Sequence, residues 1–238
     1  MNEINFANLQ FRGLEKKELL EESDSLKFIV TVNAEFIIKA NNDEEFKKII
    51  NNNYATFDGQ VPYFLAKKQN PDIYFEKLSG SDLIYDFAKM AKEKNKKIFL
   101  LGGYKESNTQ AIEKLREKYN IEIDGFSPEY KPYPFDETHN NNILKRIEVF
   151  KPDILFVGFG AIKQEYWINS NKDFLEKIGV RWVVGSGGTF EFVADTIKRA
   201  PKWIQNIGLE GIYRMLKEPN MIRVKRILLS FKIFKYIK

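Results

Sequence analysis

The chain has 238 residues, of which 43% are hydrophobic and 30% are charged, and its formal net charge is +5. This composition is typical of one globular α/β domain, alone or with an appendage. The sequence contains no cysteine, which excludes disulfide bonds, zinc–thiolate sites and catalytic thiols.

Continuously apolar strands alternate with amphipathic helices along most of the sequence. The predicted strands are Leu26–Phe36, Lys97–Gly103, Asp153–Gly160 and Val180–Gly188. One predicted helix carries Phe46, Ile49 and Ile50 on one face. Four further helices are predicted to begin at the N-cap Ser81, at about Ser107, near residue 138 and around Gln164. This alternation predicts a Rossmann-like α/β fold, in which helices cover both faces of a parallel sheet.

One stretch between these elements, ATFDGQVPY at 55–63, places the carboxylate of Asp58 directly before a glycine. Asp-Gly is a common pair in solvated turns. Alternatively, the backbone opens at the end of a strand and presents the carboxylate to a cleft. The residues of this stretch leave both interpretations open.

Three of the predicted strands end in glycines, namely Gly102–Gly103, Gly158 with Gly160, and Gly185 with Gly187–Gly188. Ligands of open α/β sheets bind beyond the carboxyl ends of the strands. Glycine lets a ligand approach the backbone, and the N-termini of the following helices favour phosphate. The three sets predict a phosphorylated or nucleotide ligand.

Several motifs of other enzyme classes are missing. The sequence has no G-x-x-x-x-G-K-[ST] loop, and Lys163 takes the third glycine position of G-x-G-x-x-G, which argues against a dinucleotide-dependent oxidoreductase. It also has no D-x-D, with which many nucleotide-sugar enzymes hold a divalent metal, so we expect neither a metal nor another cofactor. The single histidine, His139, is expected at the surface or in a helix cap, which leaves carboxylates as candidate bases.

The positive charge is concentrated in residues 221–238, which include six basic residues and no acidic residue. A nucleic-acid-binding protein would more often carry basic residues on its folded body, so no nucleic-acid partner is expected. As a helix, this tail would place in one stripe Val224, Ile227, Leu228, Phe231 and Phe234. These features favour an anionic membrane surface as partner. The alternative is a helix packed on the body with its lysines in water.

The expected location follows from the distribution of apolar residues. No segment approaches the roughly 20 apolar residues of a spanning helix, and the stretch MNEINFANLQ has no apolar run of signal-peptide length. We therefore expect a cytoplasmic protein, peripheral on the inner face of the cell membrane.

Seven stretches form an ordered set: TVNAEF (31–36), DGQVPY (58–63), LSGSDL (78–83), FLLGG (99–103), PDILFVGFGAIKQE (152–165), GSGGTFEF (185–192) and KRAPKWIQNIGLEGIYRMLKEP (198–219). In this order and spacing they resemble the WecG/TagA/CpsF glycosyltransferase family. The resemblance implies transfer of a sugar, typically N-acetylmannosamine, from its UDP derivative to a polyprenyl-diphosphate-linked sugar. It also implies inversion at the anomeric carbon, no metal, and a Rossmann-like core with a C-terminal appendage.

The resemblance assigns a role to Asp58, which matches the family's proposed general base. An inverting transfer needs a group that takes the proton of the acceptor hydroxyl while its oxygen attacks the anomeric carbon. Thr31 and Asn33 match the family's T-x-N and are expected to hydrogen-bond the donor or acceptor sugar. The alternative role of these two residues is to cap the end of a strand.

The resemblance also implies a set of binding residues. Gln164 and Glu165 are expected to recognise a sugar hydroxyl or the edge of uracil, with capping of a helix N-terminus as the alternative. The donor site is further expected to include Gly102, Gly103 and Gly187. Cations expected to bind the diphosphates are Lys77, Arg199, Arg214, Arg223 and Arg226. The alternative role of Lys77, Arg199 and Arg214 is a surface ion pair.

Some positions depart from the family pattern, and they leave the sugar and the acceptor open. The departing residues are Ile162 in place of a proline, Glu191 in place of an aspartate, Asp195 in place of a glycine, Gly211 in place of a tryptophan and Met221 in place of an arginine. The candidate base Asp58 is retained, so the reaction class is expected to hold.

The predicted organisation is a catalytic domain over 1–200 and a helical, basic appendage over 201–238 that binds the membrane and the acceptor. The predicted function is transfer of N-acetylmannosamine or a related N-acetylhexosamine in teichoic acid or envelope polysaccharide synthesis. Alternatives are transfer of another hexose in capsule or exopolysaccharide synthesis, or a non-catalytic protein that binds nucleotide sugars at the membrane. The oligomeric state is open, and a homo-oligomer is one of the options.

Overall fold

The structure is a computed structural model that describes residues 3–198, 200, 201, 203, 204, 213, 216 and 231–237. It contains two compact units. Unit 1 comprises residues 1–19, 30–79 and 198–238, and unit 2 comprises residues 20–29 and 80–197. The predicted domain boundary at residue 200 stays a prediction, because most of residues 201–238 lie outside the described ones.

All of the predicted strands and helices are present, together with shorter elements that the sequence patterns do not predict. The strands are β1 (Ile4–Phe6), β2 (Leu9–Phe11), β3 (Lys27–Val32), β4 (Tyr54–Phe57), β5 (Ile98–Gly102), β6 (Ile123–Phe126), β7 (Ile154–Gly158) and β8 (Trp182–Gly185). The helices are α1 (Lys16–Leu20), α2 (Ala34–Ala40), α3 (Glu44–Asn51), α4 (Gln60–Gln69), α5 (Gly80–Lys94), α6 (Lys105–Tyr119), α7 (Glu137–Phe150), α8 (Lys163–Lys177) and α9 (Thr189–Val193).

Within the described part of the chain, six strands form a parallel sheet in the order β4-β3-β8-β7-β5-β6, and helices flank it. The prediction of an α/β fold with a parallel sheet is therefore confirmed. In the register of the strands, Gly102 pairs with Gly158, and Val157 pairs with Gly185. The glycines that end three predicted strands thus lie side by side.

The core of unit 2 forms where helices bury aromatic side chains against the apolar strands. Phe87 of α5 packs edge-on against Phe156 and Trp182, with ring centroids 5.7 and 6.2 Å apart. Between α7 and α8, the indole N–H of Trp167 donates to the side-chain oxygen of Asn140 over 2.7 Å. Trp167 and Trp182 are both 1% exposed, so these contacts hold the sheet and its helices together.

Unit 1 includes an antiparallel hairpin, β1–β2, which the sequence analysis does not predict. The ring of Phe11 stacks on that of Phe57 in β4, with centroids 4.0 Å apart. Each strand of the hairpin is only three residues long, too short for the alternation of apolar and polar residues to stand out.

Trp203, also in unit 1, is 65% exposed.

The end of the chain, in unit 1, forms a short 3₁₀ helix over Phe231–Tyr236. Ile233 is fully buried, and the hydroxyl of Tyr236 accepts from the amide of Asn42, just after α2. Phe231 and Phe234 of the predicted apolar stripe are exposed. The rest of the predicted tail helix lies outside the described residues.

Several predicted element boundaries are wrong by a few residues, and two of them have a clear local cause. The first predicted strand ends at Val32, because the side chain of Asn33 accepts from the Phe36 N–H and begins α2. Ser81 lies inside α5, which begins at Gly80, so Ser81 is not the N-cap. Of the helices that the structure describes, none is long and apolar enough to cross a membrane.

Candidate functional site

The strand-end glycines of unit 2 surround a cavity of about 310 Å³. It lies beyond the carboxyl ends of β5, β7 and β8, where parallel sheets bind their ligands. The lining residues are Gly102, Gly103, Tyr104, Pro128, Glu129, Tyr130, Lys131, Phe135, Gly158, Phe159, Gly160, Lys163, Gly187, Gly188 and Glu191. The predicted residues Gly102, Gly103 and Gly187 are thus brought together.

Hydrogen bonds fix the backbone of this cavity. The N–H of Gly103 donates to the carbonyl of Gly158 over 2.9 Å, and the Ser127 hydroxyl lies 2.8 Å from the carbonyls of both Gly102 and Gly103. Gly102 has φ of 90°, and a Cβ there would lie 2.8 Å from the Gly158 carbonyl oxygen. Glycine is therefore needed at position 102 both for its conformation and for its lack of a side chain.

Lys163, the first residue of α8, places a cation against aromatic rings of the cavity. Its ammonium nitrogen lies 4.7 Å from the ring centroid of Tyr130, 5.6 Å from that of Phe135 and 5.9 Å from that of Phe159. Partial burial lowers the pKa of this amine below its usual value of 10.5. The cation can bind an anion, and the exposed ring of Tyr130 beside it can stack on a flat ring of a ligand.

His139 supports this aromatic wall from within α7. Its ring packs edge-on against Phe135 with centroids 4.8 Å apart, and its side chain is buried. The surface position predicted for His139 is therefore wrong. The prediction of a cap holds only for the backbone, because Asp136 accepts from the His139 N–H over 2.8 Å.

Glu191, in α9, is a polar residue of the cavity that the sequence analysis identifies only as a departure from the family pattern. The residue is 8% exposed, and its Oε2 has no hydrogen-bond partner among the described residues. A buried carboxylate oxygen without a donor costs free energy, so it is suited to accept a hydrogen bond from a ligand. The sequence signal for it is an acid three residues after the last glycine of GSGGTFEF.

Gln164 and Glu165 join the start of α8 to the loop after β8. The Gln164 oxygen accepts from the Gly187 N–H over 3.1 Å, and its amide nitrogen donates to Glu165 over 2.7 Å. The other carboxylate oxygen of Glu165 accepts from the Ile162 N–H over 2.7 Å. These two residues therefore position the backbone around the cavity.

The Glu165 carboxyl is fully buried, and burial raises its pKa to about 7. It fills the space beside Gly185, where a Cβ would collide with its oxygen. Ile162 has φ of 72°, a left-handed conformation that is rare for a β-branched residue and that a proline ring does not allow. Ile162 therefore has a backbone conformation that the proline usual at this position in the family could not adopt.

In unit 1 the predicted residues meet at the carboxyl ends of β3 and β4. Asp58 directly follows β4, and its N–H donates to the Val32 carbonyl over 3.0 Å. Lys77 forms a parallel bridge with Phe57, the residue before Asp58. Thr31 is buried in β3. Asn33 follows the end of β3 and caps α2, which is close to the capping role given as its alternative.

The structure thus divides the predicted site residues into three groups. Unit 2 holds Gly102, Gly103, Gln164, Glu165 and Gly187. Unit 1 holds Thr31, Asn33, Asp58 and Lys77. The predicted cations that lie outside the described residues are Arg199, Arg214, Arg223 and Arg226. The roles assigned to all of these residues stay predictions.

A second cavity of unit 2, of about 510 Å³, lies between β6 and α7. It is lined by basic side chains such as Lys97, Lys145 and Arg146, but by none of the predicted site residues. Because it lies beside an edge strand rather than beyond the strand ends, we place the candidate site at the glycine-lined cavity.

Comparison with known proteins gives a family and a relative. The model of the glycosyl transferase WecG/TagA/CpsF family matches residues 3–237. An N-acetylglucosaminyldiphosphoundecaprenol N-acetyl-beta-D-mannosaminyltransferase from Staphylococcus aureus (strain MRSA252) is 32% identical over 219 residues. The aligned region covers 90% of this chain and 80% of the relative.

Proposed function

The chain belongs to the WecG/TagA/CpsF glycosyltransferase family and is a glycosyltransferase, and we propose that it transfers N-acetylmannosamine or a related N-acetylhexosamine from a UDP-sugar to a polyprenyl-diphosphate-linked sugar. The observation that carries this proposal is the similarity to a mannosaminyltransferase over 90% of the chain. The reaction belongs to the synthesis of cell-envelope polysaccharide or teichoic acid.

The glycine-lined cavity of unit 2 is the proposed donor site. Its backbone can approach a diphosphate closely, and Lys163 offers a positive charge beside it. The rings of Tyr130 and Phe159 are suited to stack on uracil, and Glu191 is suited to accept a hydrogen bond from the nucleotide sugar. These groups support a donor that has a flat base and an anionic diphosphate.

Asp58 is the proposed general base. Its carboxylate takes the proton of the acceptor hydroxyl while the hydroxyl oxygen attacks the anomeric carbon of the donor. The bond from that carbon to the diphosphate breaks, UDP leaves with the electron pair, and a single displacement inverts the anomeric configuration. General-base catalysis of this kind contributes about 10²–10⁴ in rate.

Cationic side chains are proposed to stabilise the departing diphosphate without a metal ion. Over the part of the chain that the structure describes, no three His, Asp or Glu side chains come together as metal ligands. Lys163 and the predicted cations Lys77, Arg199 and Arg214 supply the positive charge instead. Transfer is therefore expected to continue in EDTA, and strict dependence on magnesium or manganese would contradict this part of the proposal.

The acceptor places the reaction at a membrane. A polyprenyl diphosphate is held in the bilayer by its hydrocarbon chain, so we propose that the protein works on the inner face of the cell membrane as a peripheral protein. The basic tail is the proposed contact with anionic lipid.

The test is a transfer assay with a set of UDP-sugars and an N-acetylglucosaminyl-diphosphate lipid. UDP release and a disaccharide lipid are expected with UDP-N-acetylmannosamine. The absence of both products would contradict the proposal. Transfer of another hexose is the second candidate, because Glu191 is one methylene longer than the usual aspartate and lines the cavity. Preference for a UDP-hexose other than a UDP-N-acetylhexosamine would support this second candidate.

A further inference from the structure

Helix α4 has an outer face of apolar side chains. Val61 is 40% exposed and Phe64 is 53% exposed, while Pro62 and Ala66 on the opposite side are buried. Leu65 and Lys68 continue the outer face at helical spacing. We call Val61, Phe64, Leu65 and Lys68 the α4 face. Exposed apolar side chains grouped on one helix are typical of a contact with a partner or a membrane.

The charges of α4 favour an anionic partner. The helix has no acidic residue in its first turn, and its charged residues, Lys67 and Lys68, lie in its last turn. Apolar side chains beside lysines, with no acid among them, match a surface that offers hydrocarbon below a layer of negative headgroups.

The segment after α4 carries an exposed aromatic ring, Tyr74, and also an exposed carboxylate, Asp72. The ammonium group of Lys67 donates to the Ile73 carbonyl over 2.7 Å and lies 5.1 Å from the ring centroid of Phe75. These contacts hold the segment that carries Tyr74 against the end of α4. Tyr74 is 63% exposed, and tyrosine is a residue that favours the boundary between hydrocarbon and water.

The α4 face lies next to the proposed base in the chain. Only Gly59 separates Asp58 from the first residue of α4, and Val61 and Phe64 lie in the first turns of the helix. One helical turn advances about 5.4 Å, so both side chains lie close to the end of β4, where Asp58 is placed.

The chemistry of the acceptor then limits where the membrane can be. In the proposed reaction, the hydroxyl that Asp58 deprotonates belongs to a sugar joined to the polyprenol by a single diphosphate. The lipid surface must therefore come within one sugar and one diphosphate of Asp58. The protein surface that borders Asp58 has to face the bilayer at that moment, and the α4 face has the composition that a bilayer requires.

Resting on the proposed function, we propose that the α4 face docks on the anionic bilayer that carries the lipid-linked acceptor and seats Asp58 at the height of its sugar. Val61 and Phe64 enter the upper hydrocarbon, and Lys68 lies among the headgroups. This contact is separate from that of the basic tail: the tail supplies most of the attraction, whereas the α4 face adds to it and sets the height of the reacting group.

The test measures transfer to two acceptors, both by the unaltered chain and by the double variant Val61→Glu/Phe64→Glu. One acceptor is embedded in anionic phosphatidylglycerol vesicles, and the other has a short, water-soluble lipid. Transfer to the embedded acceptor is expected to fall at least about tenfold, the equivalent of about 1.4 kcal/mol. Transfer to the soluble acceptor is expected to stay within about twofold, because the α4 face then has no bilayer to contact.

Two further variants guard against a general loss of folding. Phe64→Ser removes the largest exposed ring without adding charge and is expected to show the same preference for the soluble acceptor. Val149→Glu is the matched control, since Val149 is 77% exposed on α7 in unit 2 and should leave both rates unchanged. Equal losses with both acceptors, or no loss with either, would contradict the proposal.

Vesicle sedimentation separates this proposal from the proposed function. At a vesicle concentration that pellets half of the unaltered chain, the double variant should pellet less, and Val149→Glu should pellet equally. If the unaltered chain transfers no sugar, the proposed function fails, and sedimentation alone decides on the α4 face. Equal pelleting of the double variant and the control would then overturn it.

Discussion

At the scale of single residues, Asp58 carries the catalytic proposal. Asp58→Asn keeps the shape of the side chain and removes the base, so turnover is expected to fall about 10²–10⁴-fold with UDP-sugar affinity nearly unchanged. The measurement is initial rates together with a binding isotherm for the donor. Asp72→Asn, an exposed aspartate of the same unit, is the control. Turnover above about a tenth of the unaltered value would mean that another base acts.

Glu165 gives a prediction on the pH dependence of stability. Its folded-state pKa is about 7, against the ordinary 4.5, so between these values the folded chain holds a proton that the unfolded chain has lost. The contribution of Glu165 to the free energy of unfolding therefore decreases as pH rises from about 4.5 to about 7, by about 3 kcal/mol, and is constant outside this range.

The Glu165→Gln variant isolates this effect, because glutamine does not titrate. The difference in unfolding free energy, variant minus unaltered chain, should rise by about 3 kcal/mol between pH 4.5 and 7. Urea titrations of both chains at several pH values provide the measurement. A difference that does not change with pH would show that the buried carboxyl is ionised throughout.

The sequence predicts residues of the site better than it predicts their environments. It predicts from local patterns that Gly102, Gly158 and Gly185 lie at strand ends, as they do, whereas Asp58 is identified through the resemblance to the family and its role stays a prediction. It does not show that Glu165 is buried, that Glu191 has an oxygen without a partner among the described residues, or that Ile162 has a positive φ. Those properties depend on residues distant in sequence, such as Gly185 and Gly187, which no local pattern connects to them.

At the scale of elements, the contact between the last residues of β5 and β7 makes a second test possible. Gly102→Ala would place a Cβ 2.8 Å from the Gly158 carbonyl oxygen in addition to straining φ. Gly179→Ala strains φ in the same way, at 103°, but its Cβ would have no neighbour within 4 Å. Gly102→Ala is therefore expected to destabilise the protein by about 1–3 kcal/mol more than Gly179→Ala.

Thermal or urea unfolding of the two glycine variants measures that difference. The UDP affinity of Gly102→Ala is also expected to fall, whereas that of Gly179→Ala should be unchanged. Equal destabilisation by the two substitutions would mean that the contact between the β5 and β7 loops is loose enough to absorb a methyl group.

The long apolar strands and amphipathic helices are the elements that the sequence predicts. β5, β7 and β8 lie within the predicted ranges because their runs of apolar residues are continuous. The elements β1, β2, β4, β6, α1 and α9 are not predicted, since three to five residues carry too little periodicity, and the longer helices α2 and α4 are not predicted either. Helix starts are displaced where the capping residue differs, as Asn33 shows when it ends β3 and begins α2.

At the scale of the whole molecule, the tail is expected to hold the protein at the membrane. Each basic residue near an anionic leaflet contributes about 1 kcal/mol, so the six of residues 221–238 contribute at most about 6 kcal/mol before screening by salt. A chain ending at Pro219 keeps only the α4 face for this contact, so it should pellet much less with anionic vesicles and lose activity on the lipid-linked acceptor. The full chain should pellet with them, less so at high salt.

A second variant separates attraction from packing, because truncation also removes the buried Ile233. The double change Phe231→Ser/Phe234→Ser alters only exposed side chains of the same 3₁₀ helix and keeps Ile233 in place. It should weaken vesicle binding without lowering the melting temperature. Equal sedimentation of the truncated and full chains would remove the tail from the mechanism.

The three tryptophans give the protein an optical readout of its own. Trp167 and Trp182 are buried in unit 2, whereas Trp203 is 65% exposed in unit 1. Acrylamide should quench only Trp203 in the folded chain, and its emission should lie to the red of the other two. A change in quenching on adding UDP-sugar or vesicles then reports on unit 1, while the buried pair records whether unit 2 stays folded.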